Sequence, residues 1–167
     1  MEDIQVYIVN LGKYTEGVSQ GAWFTLPVSL TEVAEKIGLN EQYEEFAIHD
    51  AIAPFKITEY ESLDRLNAIA EALDRESDNP IAKYAGDLVE EGWYTDILEV
   101  LEDLDRIYAY EDCNSMGDVA YDFLTENGYL TGLPDIISNH IDYDSLGREL
   151  ELEGCYYDTG DGMILQI

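Results

Sequence analysis

Apolar and polar positions alternate loosely through "DIQVYIVN", whose β-branched and aromatic residues predict a strand. "GKYTEG" predicts a turn-rich loop, and "GAWFTLPV" a second strand ended by Pro27. "SLTEVAEKIGLN" predicts a short helix with Thr31 as the N-cap, Glu32 and Glu35 in its first turn, and Gly38 closing it. Glu32 and Lys36 stand in the favourable i, i+4 order. "YEEFAIHD" predicts a third strand. These elements make a small α+β unit over residues 1–61.

The period then changes. Leu63, Leu66, Ile69, Ala70 and Leu73 fall at helical spacing after the candidate cap Ser62. "NPIAKYAGDLVEEGW" predicts a helix opening on Pro80 and ending before Gly92. "TDILEVLEDLDR" turns Ile97, Leu98, Leu101 and Leu104 inward and Asp96, Glu99, Glu102 and Asp103 outward. Three short helices predict a helical bundle over 62–105. Beyond it, "RIYAYED" predicts a strand, "GDVAYDFLTENG" a helix, "DSLGRELELEG" another, and "CYYDTGDGMILQI" a terminal hairpin, together an α+β unit over 106–167. The fold class expected is α+β, an elongated chain of three small units (α+β, helical bundle, α+β). Units of ~40–60 residues bury little surface, so they should pack on one another or on a second chain.

Charge changes this picture most. Eight Lys+Arg stand against 37 Asp+Glu in 167 residues, a net of −29. Residues 84–167 hold 21 acids and only two bases, Arg106 and Arg148. A small domain stays soluble with a net charge of roughly 2–8, and self-repulsion beyond that destabilises the compact state. The 13 Tyr and 46% hydrophobic content separate the chain from disordered acidic tails. In the helix at 115–127, Asp118, Asp122 and Glu126 stand at i, i+4, i+8, where like charges repel by about 0.2–0.5 kcal/mol per pair. Asp87, Glu90, Glu91, Asp96, Glu99, Glu102 and Asp103 make the two preceding helices one-signed on their outer faces.

Most other chemistry is excluded or weakly signalled. No apolar run approaches the ~20 residues needed to cross a bilayer, and "MEDIQVYIVNLGKY" lacks the apolar core of a secretory leader. A cytoplasmic protein without membrane contact is expected. Cys113 and Cys155 form no C-x-x-C and read as reduced thiols, although a bridge between them stays open. His49 beside Asp50 has no marked nucleophile, so a structural histidine is the better reading. Cys113, His140 and Cys155 lack the spacing of a zinc motif. "DYDSLGRELELE" from Asp142 fits a calcium loop at positions 1, 3, 6 and 12 but has leucine at 5 and 9; "DCNSMGDVAYDF" from Asp112 fails at 5 and 12. With 37 acids, paired carboxylates of hydrolase type are uninformative. A nucleic-acid binder needs basic patches, and this chain has the opposite. No enzyme activity, cofactor or metal is expected.

The acids themselves are the candidate site. Duplex DNA carries one charge per about 1.7 Å of axis, so 29 charges correspond to about 50 Å of duplex. Residues i and i+4 rise about 6 Å on a helix, while one DNA strand presents a phosphate every ~3.4 Å. One stripe is too sparse, and several acidic elements side by side are required. A salt-adapted or calcium-binding acidic structural module is the alternative.

"QVYIVNLGKYTEGVSQGAWFTLPV", "EEFAIHD", "PFKITEY" and "LDRLN" resemble the N-terminal half of the ArdA family of antirestriction proteins. "GDVAYDFLTENGYL" and "IDYDSLGRELELEG" resemble its C-terminal half, and the middle, about 67–105, is similar in helical, acidic character. The resemblance implies a DNA mimic carried by mobile elements such as conjugative plasmids and transposons. Such a protein occupies the DNA-binding groove of type I restriction–modification enzymes. It also implies an elongated homodimer joined through the C-terminal part, for which Tyr143, Leu146 and Leu150 are the apolar interface candidates. The same three residues read equally well as core within their own unit.

Overall fold

The computed structural model describes residues 3–167. The chain divides into two compact units, residues 1–102 and 103–167. The first holds β1 (Gln5–Asn10), α1 (Leu11–Thr15), β2 (Gly21–Thr25), α2 (Leu30–Ile37), β3 (Phe46–Ile52), α3 (Leu63–Arg75), α4 (Ala85–Glu90) and α5 (Ile97–Glu102). The second holds β4 (Tyr108–Glu111), α6 (Met116–Glu126), α7 (Asp135–Ser138), α8 (Tyr143–Glu153), β5 (Tyr156–Asp158) and β6 (Met163–Gln166). The class is mixed α+β. No helix among the described residues is long and apolar enough to cross a membrane.

In the first unit, β1 is the central strand of an antiparallel sheet of order β2-β1-β3. Val6, Ile8 and Val9 are almost wholly buried there. Val33 and Ile37 of α2 join that core, as one helical face should. Asn10 is the one buried polar side chain among the described residues. Its carbonyl caps α1 by accepting from Lys13 N at 3.0 Å, and its amide donates to the carbonyls of Ile37 and Gly38, both at 3.2 Å. One side chain thus starts α1 and holds the end of α2. Asn10→Ala should cost about 1–3 kcal/mol, because it strands a helix donor and a buried carbonyl. Urea unfolding checks this; a midpoint unchanged from the parent would contradict it.

Several expectations are corrected. The cap of α2 is Ser29, accepting from Glu32 N at 3.1 Å, not Thr31. The helix starts two residues earlier, about half a turn, which leaves Thr31 inside it. Gly38 does close it, in the left-handed region at φ 71°. Lys36 lies over the Phe24 ring at 4.7 Å and donates to the Trp23 carbonyl at 3.2 Å. Pro80 does not open a helix: a 3₁₀ turn at Ala82–Tyr84 comes first, with Asn79 Oδ1 accepting from Ile81 N at 2.9 Å. The sheet bulges at His49, because Tyr7 pairs with Asp50 while Ile8 pairs with Ile48. The exposed His49 ring meets Tyr14 edge-on at 4.7 Å, and Asp50 accepts from Ala51 N.

The helices after residue 62 share a compact unit with this sheet. Ser62 caps α3, and Leu66, Ile69 and Leu73 are buried along one face. Asn67 makes two bonds to the backbone of Val28, accepting from its N–H at 2.9 Å and donating to its carbonyl at 2.8 Å. Arg65 bridges Glu61 at 2.7 Å and Asp96 at 2.6 Å, tying α3 to the start of α5.

In the second unit the sheet order is β4-β6-β5, all antiparallel, so the terminal hairpin receives β4 on its outer edge. Tyr110, Cys113, Val119 and Ile164 form the core, with Met116, Phe123 and Tyr156 packed against it. Helices α6 and α8 cross at two glycines. A Cβ on Gly147 would collide with the Met116 carbonyl and lie 2.9 Å from Gly117 N. A Cβ on Gly117 would collide with the Asp144 carboxylate and lie at an ordinary contact distance, 3.6 Å, from its Cα. The segment from Asp142 is continuous helix α8 capped by its own first residue, which accepts from Ser145 N at 2.9 Å. It is not a calcium loop.

Candidate functional site

Each unit carries acids on solvent-facing positions of its helices. In the first, Asp87, Glu90, Glu91, Glu99 and Glu102 are exposed. Glu99 accepts from the Thr95 hydroxyl at 2.9 Å. Asp96 has a different role. It is half-buried, paired with Arg65, and accepts from Leu98 N at 2.8 Å, which satisfies a first-turn donor of α5. The bond from Arg65 holds its carboxyl below the usual value of 3.8, burial opposing. Asp96 is therefore as much a structural tie as a displayed charge.

In the second unit Asp103 is half-buried and pairs with Arg106 at 3.1 Å. The stripe Asp118, Asp122, Glu126 runs along α6, and two of its members have local partners. Asp118 accepts from the Ser115 hydroxyl at 2.8 Å and from Asn114 N at 3.0 Å, while Ser115 caps α6 through Asp118 N. An acid in the first turn also faces the positive end of the helix dipole. Glu126 is at the unfavourable end of that dipole, and the Tyr108 hydroxyl donates to it. Part of the repulsion expected along the stripe is thus offset within the unit.

The aromatic side of this stripe was not foreseen. Tyr108 and Tyr110, two apart on β4, share one face of the sheet, and their rings meet at 4.7 Å. The alternation in "YAYE" carried that signal. Their hydroxyls are pushed up to about 12, for different reasons. For Tyr108 the bond to Glu126 dominates; for Tyr110 burial dominates, then the charges of Tyr156, Glu126 and Asp122. The Cys113 thiol rises to about 11 through burial first, then Asp122, Asp118 and Asp112. A raised tyrosine pKa favours the protonated folded state. Its contribution is full below the ordinary value of 10.0 and is lost as pH climbs towards about 12. Ultraviolet titration should show these two phenols neutral well above pH 10, with Glu126→Gln bringing Tyr108 down. A Tyr108 that ionises at the ordinary value in the parent would contradict the geometry.

Tyr143, Leu146 and Leu150 are half-buried on α8. The Tyr143 hydroxyl donates to the Ser138 carbonyl at 3.0 Å, and its ring meets Tyr121 edge-on at 5.3 Å. The most exposed apolar side chains of this unit lie elsewhere: Leu152 is 87% exposed, Ile136 73% and Tyr129 62%. Tyr129 and Ile136 share the stretch "YLTGLPDII" with the exposed Leu133 and Ile137, while Leu152 stands apart on α8.

No curated protein matches the chain. A family model does, the antirestriction protein (ArdA) model, over residues 6–165. That span runs from β1 into β6 and takes in every helix described above and nearly the whole chain, so this protein belongs to the ArdA antirestriction family.

Proposed function

We propose that this protein blocks type I restriction–modification enzymes by presenting carboxylates where DNA would present phosphates, and that it occupies their DNA-binding groove. The observation that carries the reading is the base-free acidic run: eight acids between Lys83 and Arg106, and eight more between Arg106 and Arg148. These fall on α4, α5, α6, the start of α8 and the segments around them. No covalent chemistry is involved. The partner's Lys and Arg exchange phosphates for carboxylates, and the acids shed mutual repulsion when a basic surface closes over them. Binding is spread over many sites, since an exposed charge pair is worth only ~0–1 kcal/mol.

DNA cleavage by a type I enzyme, measured with increasing amounts of this protein, tests the reading. Inhibition that is relieved by added DNA is expected. An enzyme that cleaves at full rate in excess protein would overturn it.

The chain is also proposed to pair with a second copy through its C-terminal unit, with Tyr143, Leu146 and Leu150 as the first candidates. The exposed side chains of Leu133, Ile136, Ile137 and Leu152 support an apolar contact in the same unit. Sedimentation equilibrium should give twice the 18.9 kDa chain mass, and Ile136→Asp should shift it towards the monomer. A monomer at every concentration would refute the pairing.

A further inference from the structure

At one end of the second unit's sheet, beside the C-terminal turn of α6, an open groove of about 580 Å³ is lined by Tyr108, Tyr110, Phe123, Glu126, Gln166 and Arg106. Three aromatic rings and a carboxylate meet at one opening. Aromatic faces attract cations through their negative π-clouds, and they do so best where water is thinned out. Tyr110 is 4% exposed at the base of the groove and Tyr108 is 43% exposed at its rim. The carboxylate is held in place: the Tyr108 hydroxyl donates to Glu126 Oε2. That bond uses one of about four acceptor positions on a carboxylate. Gln166 is oriented too, its Oε1 accepting from the Tyr110 hydroxyl at 3.3 Å.

The charge around the groove selects the sign of its occupant. Residues 103–167 carry 15 acids and two bases, a net of −13. The charges of Glu126 and Asp122 both reach the tyrosine hydroxyls. The resident cation, Arg106, is drawn to Asp103 at 3.1 Å, and its side chain is 77% exposed. A guanidinium is planar, weakly hydrated and stacks on rings, whereas an ammonium is compact and strongly hydrated. Ring walls with a fixed carboxylate at the edge suit the former.

We propose that this groove seats an arginine side chain of the partner protein, stacked against Tyr108 and Phe123 with Glu126 as its anionic anchor. This rests on the reading above that the partner's surface is basic. It adds a discrete anchoring point to an otherwise distributed contact.

The experiment is a nuclear magnetic resonance titration of the full chain with acetyl-Gly-Arg-Gly-amide, and with the lysine analogue, at low salt. Saturating shifts at the rings of Tyr108, Tyr110 and Phe123 are expected. Glu126→Gln keeps an acceptor for Tyr108 and should weaken peptide binding about fivefold, while the lysine peptide should bind about threefold more weakly than arginine. Arg106→Ala, which removes the resident cation, should tighten binding. Asp105→Asn, an equal loss of charge outside the groove, should leave it nearly unchanged. Shifts spread evenly over all acidic helices would overturn the groove, as would equal losses in Glu126→Gln and Asp105→Asn. Inhibition of a type I enzyme retained without groove binding would overturn this inference alone. Groove binding without inhibition would support the groove and overturn the functional reading.

Discussion

Gly147→Ala is expected to destabilise the C-terminal unit by about 1–3 kcal/mol, despite placing a better helix former in α8. Alanine gains about 1 kcal/mol of helix propensity over glycine. Against that, its methyl would collide with the Met116 carbonyl and crowd Gly117 N at 2.9 Å. Backbone cannot rotate away as a side chain can, so the two helices must separate along their crossing. That loosens Val119 and Ala120, both fully buried. Gly117→Ala should cost much less, because its obstacle is the Asp144 carboxylate, the movable end of an exposed side chain. Glu149→Ala, exposed on the same helix, should stay within about 0.5 kcal/mol of the parent. Chemical unfolding followed by circular dichroism compares the three. If Gly147→Ala were as stable as Glu149→Ala, the close crossing of α6 and α8 would be wrong.

That crossing marks where sequence reading stops. Apolar periodicity placed α3, α6, α8 and the terminal hairpin correctly, because each buries one face and shows it in its own residues. A glycine within a helix carries no pattern. That Gly147 faces Met116, 31 positions earlier, emerges only when both helices exist. Caps are legible when they come first in a strong pattern, as Ser62 does. At α2, Ser29 and Thr31 are both good caps by type, and the backbone chose between them. The acids of the candidate site were legible as charge but not as environment. Nothing local in "TDILE" tells that Asp96 would meet Arg65, which is 31 residues away. Likewise Glu126 meets Tyr108, 18 positions earlier in the chain.

Neutralising the α6 stripe as a set should weaken inhibition far more than any one member does. Asp118→Asn, Asp122→Asn and Glu126→Gln keep an acceptor at each position, so the cap at Ser115 and the bond from Tyr108 survive. Each alone should cost ~1 kcal/mol or less, about fivefold at most. Together, if independent, they should approach 3 kcal/mol, on the order of a hundredfold. Raising salt should erode the parent's inhibition and narrow the gap between parent and triple variant. The screening length shrinks from about 30 Å at 0.01 M to about 8 Å at 0.15 M. Inhibition constants at two salt concentrations decide this. One substitution that abolished inhibition in a folded, correctly assembled protein would sink the distributed contact. So would a triple variant indistinguishable from the parent.

The base-poor half of the chain also governs how the protein meets reagents and proteases. After Lys83 there is no lysine, and trypsin finds only Arg106 and Arg148 in the last 84 residues. Arg148 lies within helix α8, where a peptide bond is poorly presented to a protease. Arg106 is the exposed last residue of the 3₁₀ turn at Leu104–Arg106, close in sequence to the division between the two units. A tryptic cut there would leave the sheet and helices of residues 107–167 on one unbroken piece of chain. Amine-directed cross-linkers would mark only the first half of the molecule. Capture of a basic partner against the second half therefore calls for carboxyl-activating chemistry, for which that half supplies 21 targets.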